Sequence, residues 1–261
     1  MEYSAKIDMG SYQLFFQTFG SGEPTVVFES GGECGADSLA GLAKQVQSFT
    51  RALIYDRAGL GQSDPAPRPR TIQDAVNDLH TLLHTAPIRG PYLLVGHSFG
   101  GLILRLYAAQ YPQEVAGLVL LDVPHPEQSL RELWLLPPAS SQEPAALTTF
   151  RNEITAEWTD PFHNREVFDK AASAAQVVNS GPFGNLPLVV ITAGIDEWED
   201  GFPPEIASRL ADDWMEMQRE LAGLSDSGTH LIAAESTHAI QDCQPELVVE
   251  VIRKLVETLR S

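Results

Sequence analysis

One serine in the sequence has the surroundings of a nucleophile. It is Ser98, at the centre of the pentapeptide GHSFG at residues 96–100, between a strand-like apolar run and a helix-like run. A sharp strand-to-helix turn holds such a serine in a strained conformation with its hydroxyl exposed above the sheet, and glycines two positions away avoid collisions with neighbouring backbone. The start of the following helix favours negative charge. The context therefore predicts catalysis by Ser98 rather than a plain glycine-rich connection.

A serine hydroxyl is a weak nucleophile at neutral pH and needs a base within hydrogen-bond reach. Among seven histidines, His238 follows a strand-like run and precedes the last helix, so a sheet edge would present it near Ser98. His97 lies inside the turn, where its side chain should point away from the hydroxyl and pack. His80 and His84 are four residues apart on one predicted helix, and with no third ligand evident they predict a solvated helix face.

The elements that would position these residues alternate between two patterns. Short continuous apolar runs, typical of strands covered on both faces, are separated by segments with helical periodicity. The predicted strands are residues 24–28, 52–55, 92–95, 117–121, 188–191 and 230–234. Amphipathic stripes predict helices over residues 72–83, 206–224 and 247–259 that pack on the sheet. This order predicts a doubly wound, mostly parallel α/β sheet.

The segment from residue 123 to residue 185 interrupts the alternation. It has no strong strand signal and is rich in proline and aromatic residues. We therefore expect a mainly helical cap, inserted after the sixth strand, and a core formed by residues 1–122 and 186–261. The aromatic side chains of this cap suggest an apolar acyl or alcohol group in the substrate.

Several motifs resemble the α/β-hydrolase family. Residues 55–63, YDRAGLGQS, are similar to the family's D-R-x-G-x-G-x-S loop, and residues 111–115, YPQEV, to its Y-P-x-x-V segment. Ser236-Thr237-His238, followed by Pro245, looks like the family's last strand end and final helix. These landmarks keep the family's order from about residue 10 to residue 259, and only the cap lacks a match. The resemblance implies the α/β-hydrolase fold and the chain order serine, acid, histidine.

Three carboxylates are candidates for the acid that orients the base. Asp122 ends the strand at residues 117–121, whereas Asp196 and Glu197 follow the next strand. The family more often uses the later position, but Asp196 lies in an acidic run that is typical of a solvated loop. The long helix after that run also need not hold the loop beside His238. We favour Asp122, as in family members that take their acid from this strand, and the other two stay open.

The resemblance also implies an oxyanion hole, which needs preorganised donors. The backbone N–H of Phe99 directly follows the nucleophile, and Gly32, in the loop after the early strand, is expected to supply the second. The family often has His-Gly where this chain has Ser30-Gly31. A carboxylate at Glu33 would oppose an oxyanion unless it points elsewhere.

Composition limits the partners. A formal net charge of −18 argues against nucleic acids and anionic membranes, because both are polyanions. The N-terminus lacks a secretory signal pattern, and two cysteines are too few for a disulfide scaffold, so a reduced cytoplasmic setting is expected. Nothing in the pattern requires a metal or an organic cofactor, and the expected partner is a small-molecule substrate.

The residues together predict hydrolysis of a carboxylic ester, either a small or apolar ester or a lactone, through an acyl-enzyme on Ser98. Thioesters and amides stay open. Haloalkane or epoxide opening uses an aspartate at the nucleophile position, so Ser98 disfavours it. The alternative is a ligand-binding receptor or regulator that keeps the same residues with negligible turnover.

Overall fold

The computed structural model describes residues 2–195 and 201–261. Within them the strands form one mixed sheet in the order β1-β2-β4-β3-β5-β6-β7-β8. Their bounds are β1 Glu2–Asp8, β2 Gln13–Phe19, β3 Val26–Glu29, β4 Ala52–Tyr55, β5 Tyr92–His97, β6 Val115–Leu121, β7 Leu188–Ala193 and β8 Gly228–Ala233. The six strands from β3 onward pair in parallel. The predicted doubly wound, mostly parallel sheet is confirmed.

Helices cover both faces of this sheet. Their bounds are α1 Ala40–Val46, α2 Ile72–Thr85, α3 Phe99–Gln110, α4 Gln128–Leu135, α5 Ala145–Thr159, α6 Lys170–Val177, α7 Pro204–Ala222, α8 Ile240–Cys243 and α9 Pro245–Arg260. Alternate residues of one strand enter different cores. In β5, Leu94 packs in the core that contains α2 and α3, whereas Leu93 and Val95 pack in the core that contains α1 and α9. This two-sided burial explains why the parallel strands are continuously apolar.

The first two strands are absent from the sequence prediction. β1 and β2 form an antiparallel hairpin at the sheet edge, and β2 joins β4. Most side chains of β1 are exposed, so its sequence lacks the apolar run that marks the inner strands. An edge strand needs burial on only one face, which leaves a weaker pattern to detect.

The segment between β6 and β7 contains α4, α5 and α6, together with a short 3-10 helix at Pro161–His163. Its link to the rest of the chain includes Arg131 on α4, which pairs with Asp213 and Glu220 on α7. No helix in the described part of the chain is long and apolar enough to cross a lipid bilayer.

Candidate active site

Ser98 occupies the turn between β5 and α3. Its backbone has φ 49° and ψ −128°, a conformation that L-residues rarely adopt and that costs of order 1–3 kcal/mol. The glycines beside it are sterically required. A Cβ on Gly100 would lie 2.5 Å from the carbonyl oxygens of Glu29 and Ser30, and one on Gly96 would lie 2.8 Å from the backbone of Gly101. The sharp turn expected from the sequence is present.

A third glycine joins this turn to the end of β6. A Cβ on Gly101 would lie 2.1 Å from a methyl group of Val123, so only glycine lets α3 approach so closely. Val123 is completely buried, and it directly follows Asp122. The approach therefore fixes the distance between the turn that carries Ser98 and the strand end that carries Asp122.

Asp122 and His238 are in direct contact. His238 Nδ1 donates to Asp122 Oδ2 at 2.7 Å, and Asp122 Oδ1 accepts from the backbone N–H of Ala193 at 2.9 Å. Asp122 is 4% exposed and has φ 47°, and its carboxylate is directed to Ala193 at the end of β7 and to His238. An ionised carboxylate that accepts from Nδ1 leaves Nε2 of His238 as the basic nitrogen.

The two other carboxylates proposed for this role, Asp196 and Glu197, lie outside the described residues. Ile195, immediately before them, lines the same cavity as Asp122. Of the three candidate acids, Asp122 lies in the described part of the chain, and it contacts His238.

His97 is buried beside the base, although it was expected only to pack. Its Nε2 donates to the backbone carbonyl of His238 at 3.0 Å, and the two rings are 4.7 Å apart between centroids. Burial and the neighbouring His238 ring lower the pKa of His97 to about 4. His97 is therefore neutral at pH 7, and a carbonyl acceptor requires its proton on Nε2. It holds the backbone of residue 238 without adding a positive charge.

The loop after β3 lies against the nucleophile. A Cβ built on Gly32 would be 3.6 Å from the Cβ of Phe99, and one on Gly31 would be 3.5 Å from the Cβ of Ser98. Phe99 is the first residue of α3, so its amide has no acceptor within the helix. The two backbone donors predicted for an oxyanion hole, Gly32 and Phe99, are thus neighbours.

Arg57 anchors this loop through hydrogen bonds to its backbone. Its guanidinium donates to the carbonyl oxygens of Ser30 and Gly31 at 2.7 Å each. It also pairs with Glu29 at 2.8 Å and, through two parallel bonds of 2.8 and 2.7 Å, with Glu166. Burial by itself would lower the pKa of Arg57, but the two carboxylates raise it above its usual value. The guanidinium stays charged and fixes the path of the loop.

Glu33 does not face the oxyanion position as a free carboxylate. Its Oε1 accepts from the backbone N–H of Arg165, and its own N–H donates to Glu166, both at 2.6 Å. The loop after β3 is therefore tied to the segment that precedes α6. The Glu33 carboxylate is thereby directed to the backbone of that segment.

A cavity of about 640 Å³ opens above the strand ends. Ser98, Asp122 and His238 line it, so the structure brings the three predicted residues into one space. Its other walls are mainly apolar and include side chains of α7 and β8. These are Ala211, Trp214, Met215 and Ile232.

A second cavity of about 550 Å³ lies under α5 and shares Pro124 and Gln128 with the first. Phe99 forms part of its wall, next to apolar side chains of α5 and four carboxylates. These are Phe150, Ile154, Trp158, Glu33, Glu132, Glu153 and Glu157. Glu132 is 5% exposed, and burial raises its pKa to about 7.

Sequence reasoning missed two contributions to the site. α7 was expected only to pack on the sheet, yet Trp214 and its neighbours line the cavity. Glu166 carried no motif, and its role depends on contacts with Arg57, 109 residues away along the chain. The position of Trp214 on the apolar stripe did not distinguish a core residue from a cavity wall.

Comparisons with known proteins agree with this architecture. The chain is 27% identical over 231 residues to the uncharacterized protein YqjL of Bacillus subtilis (strain 168), which covers 88% of this chain and 82% of that protein. A thermophilic esterase from Thermogutta terrifontis superposes with a TM-score of 0.65 at 20% identity, over 99% of this chain and 100% of that one. The enol-lactonase from Burkholderia xenovorans LB400 superposes with a TM-score of 0.67 at 17% identity, over 97% and 100%. At these identities the structural likenesses show the fold alone.

The sequence model that describes the alpha/beta hydrolase fold matches residues 24–156, about half of the chain. This stretch contains the turn with Ser98, the loop after β3 and the strand end with Asp122. The protein belongs to the α/β-hydrolase fold family.

Proposed function

We propose that this protein is a carboxylic ester hydrolase that works through Ser98, His238 and Asp122. The observation that carries the proposal is the 2.7 Å contact between His238 Nδ1 and Asp122 Oδ2, made on the wall of the cavity that Ser98 also lines. A strained serine, an oriented imidazole and a buried carboxylate at converging strand ends are the parts that acyl transfer needs.

In the proposed reaction His238 Nε2 takes the proton of Ser98, and Oγ attacks the carbonyl carbon of the ester. The backbone N–H groups of Gly32 and Phe99 donate to the oxygen as it gains negative charge. Asp122 stabilises the imidazolium, which then gives its proton to the departing alkoxide. A water molecule, deprotonated in turn by His238, attacks the acyl-enzyme and releases the acid and the free serine.

The proposed substrate is a small or apolar ester or lactone. Trp214, Met215 and Ile232 offer an apolar surface close to the nucleophile, and such walls favour an acyl or alcohol group without charge. Esters of the same leaving group with short and long acyl chains would measure how much of this surface the substrate uses.

Residues 123–185 are proposed to act as a cap over a core formed by residues 1–122 and 186–261. The support is that α4, α5 and α6 interrupt the chain between β6 and β7, and that Phe150 and Trp158 of α5 face the second cavity. Two hydrophobic side chains of this segment, Trp134 and Phe162, are 82% and 68% exposed.

The experiment is turnover of p-nitrophenyl esters, together with labelling by a fluorophosphonate probe. Ser98→Ala should lower kcat/KM by about 10⁴-fold or more and abolish labelling, because it removes the nucleophile. Ser227→Ala, which removes an exposed hydroxyl near the start of β8, is the matched control and should keep the parent rate.

The outcomes separate the two candidate functions. Labelling of Ser98 without measurable turnover of any ester would favour the receptor. Turnover that survives Ser98→Ala, or a parent protein that is neither labelled nor active, would contradict the serine mechanism.

A further inference from the structure

A cluster of two histidines and a glutamate lies away from the proposed catalytic residues. His80 and His84 are on successive turns of α2, and Glu114 is in the 3-10 turn at Pro112–Glu114 that leads into β6. Each side chain offers one ligand atom, and these atoms lie within 4.8 Å of one another. The structure therefore supplies, from a different element, the third ligand that the sequence did not reveal.

The spacing of the three ligand atoms suits a tetrahedral metal ion. Glu114 Oε1 is 2.9 Å from His84 Nε2 and 3.4 Å from His80 Nε2. In a tetrahedral Zn²⁺ site with bonds of about 2.0–2.1 Å, neighbouring ligand atoms are about 3.3 Å apart. The two Glu114 separations lie on either side of that value, and the ligand atoms of the two histidines lie within 4.8 Å of each other, so side-chain rotations could bring all three atoms to one ion.

Neighbouring aromatic residues fix two of the ligands. The Tyr107 hydroxyl donates to Glu114 Oε2 at 2.5 Å, which leaves Oε1 facing the two imidazoles. The His80 ring stacks on the Tyr111 ring, with centroids 4.0 Å apart and planes at 17°. Partners that orient the ligands of a metal in this way raise its affinity.

We propose that His80, His84 and Glu114 form a Zn²⁺ site. Imidazole and carboxylate are ligands that zinc prefers, and a water molecule would take the fourth position because the His84 side chain is 57% exposed. The ion would link α2 to the connection between α3 and β6. Its role is to stabilise the fold, because Glu114 precedes β6, whereas Asp122 follows that strand at its other end.

This site is independent of the proposed hydrolase activity and is tested by metal binding. After removal of metals with EDTA, calorimetric titration with ZnCl₂ should show one equivalent bound in the micromolar range and lost in the double variant His80→Gln/His84→Gln. Glu114→Gln should weaken binding at least tenfold. His163→Gln, an exposed histidine outside the cluster, is the control and should keep the equivalent.

Two further measurements, a Co²⁺ spectrum and a Tm shift, test the site in the parent protein and do not require that every variant folds well. Co²⁺ bound to the parent protein should give the intense visible bands of tetrahedral coordination, and Zn²⁺ should raise the Tm of the parent but not of the double variant. Absence of the tetrahedral bands, or an equivalent of Zn²⁺ that persists in the double variant, would overturn the proposal. An equal loss of binding in His163→Gln would do the same.

Discussion

Arg57 and Arg105 are 3% and 1% exposed, but the protein surrounds them differently. Arg57 donates to two carboxylates and two backbone carbonyls beside the nucleophile. Arg105, on the nucleophile helix α3, makes one long bond of 3.4 Å to the carbonyl of Ser180, and among the described residues its Nε and Nη1 have no acceptor. Burial lowers the pKa of Arg105 to about 10, whereas the partners of Arg57 raise its pKa.

The difference shows that burial alone does not say what a charge does. A buried charge is costly unless it is paired and hydrogen-bonded, and removal of one partner from a buried pair leaves the other unpaired. Arg57 is integrated with the loop that carries Gly32, so it contributes to both stability and geometry. Arg105 loses its hydration on burial, and one long hydrogen bond compensates little of that loss.

The largest effect is expected for Arg57→Met. The substitution leaves Glu29 and Glu166 buried without their cation, so the free energy of unfolding should fall by about 3–5 kcal/mol. The loop after β3 also loses its anchor, so kcat/KM for an activated ester should fall even where the variant is folded. Urea unfolding and ester turnover measure the two effects. If both stay at the parent value, the network does not position the loop.

A smaller effect, with a defined pH dependence, is expected for Glu132→Gln. Burial raises the folded-state pKa of Glu132 from 4.5 to about 7, so between these values the folded protein binds more protons than the unfolded chain. Stability contributed by this group is therefore lost as the pH rises through that window. Glutamine does not titrate, so the variant should gain a few degrees in Tm relative to the parent at pH 8 but not at pH 4.5.

The control for this experiment is Glu153→Gln, because Glu153 lines the same cavity but is exposed. The Tm gain at pH 8 that is expected for Glu132→Gln should be absent in this variant, because an exposed carboxylate keeps its hydration. If the Tm difference between Glu132→Gln and the parent is the same at pH 4.5 and at pH 8, burial of the ionised Glu132 carboxylate does not destabilise the protein. The comparison of Glu132 with the buried charge of Arg105 would then fail.

The smallest effect is expected for Arg105→Met, the matched counterpart of Arg57→Met. Loss of a buried guanidinium that makes one long hydrogen bond removes its desolvation cost, and the shorter side chain leaves some unfilled volume. These terms oppose each other, so the free energy of unfolding should stay within about 1 kcal/mol of the parent. Urea unfolding tests this expectation. A loss comparable to that of Arg57→Met would remove the contrast between the two arginines.

Much of the fold was readable from the sequence because its signals are local. Continuous apolar runs marked the inner strands, and amphipathic stripes marked α2 and, after Pro245, α9. The edge strand β1 was missed because its exposed side chains form no such run, and β2 was missed because its buried positions are separated by partly exposed ones. The predicted site residues Ser98 and His238 also followed from local context, namely a strand end next to a helix.

Local pattern did not decide contacts between distant segments. The sequence left the acid open between Asp122, Asp196 and Glu197, and the contact of Asp122 with His238 depends on the register of β6, β7 and β8. It gave no sign that Glu166 pairs with Arg57 or that Glu114 joins His80 and His84.

The sequence by itself determined which residues are apolar, where the inner strands and the amphipathic helices lie, and which serine stands in a sharp turn. These properties depend on side chains a few positions apart and on the preferences of each backbone segment. The tertiary structure decided which charges are paired, which side chains face a cavity and which ligand atoms meet. Those outcomes depend on packing between segments far apart in the chain, where a shift of one residue in register changes every partner.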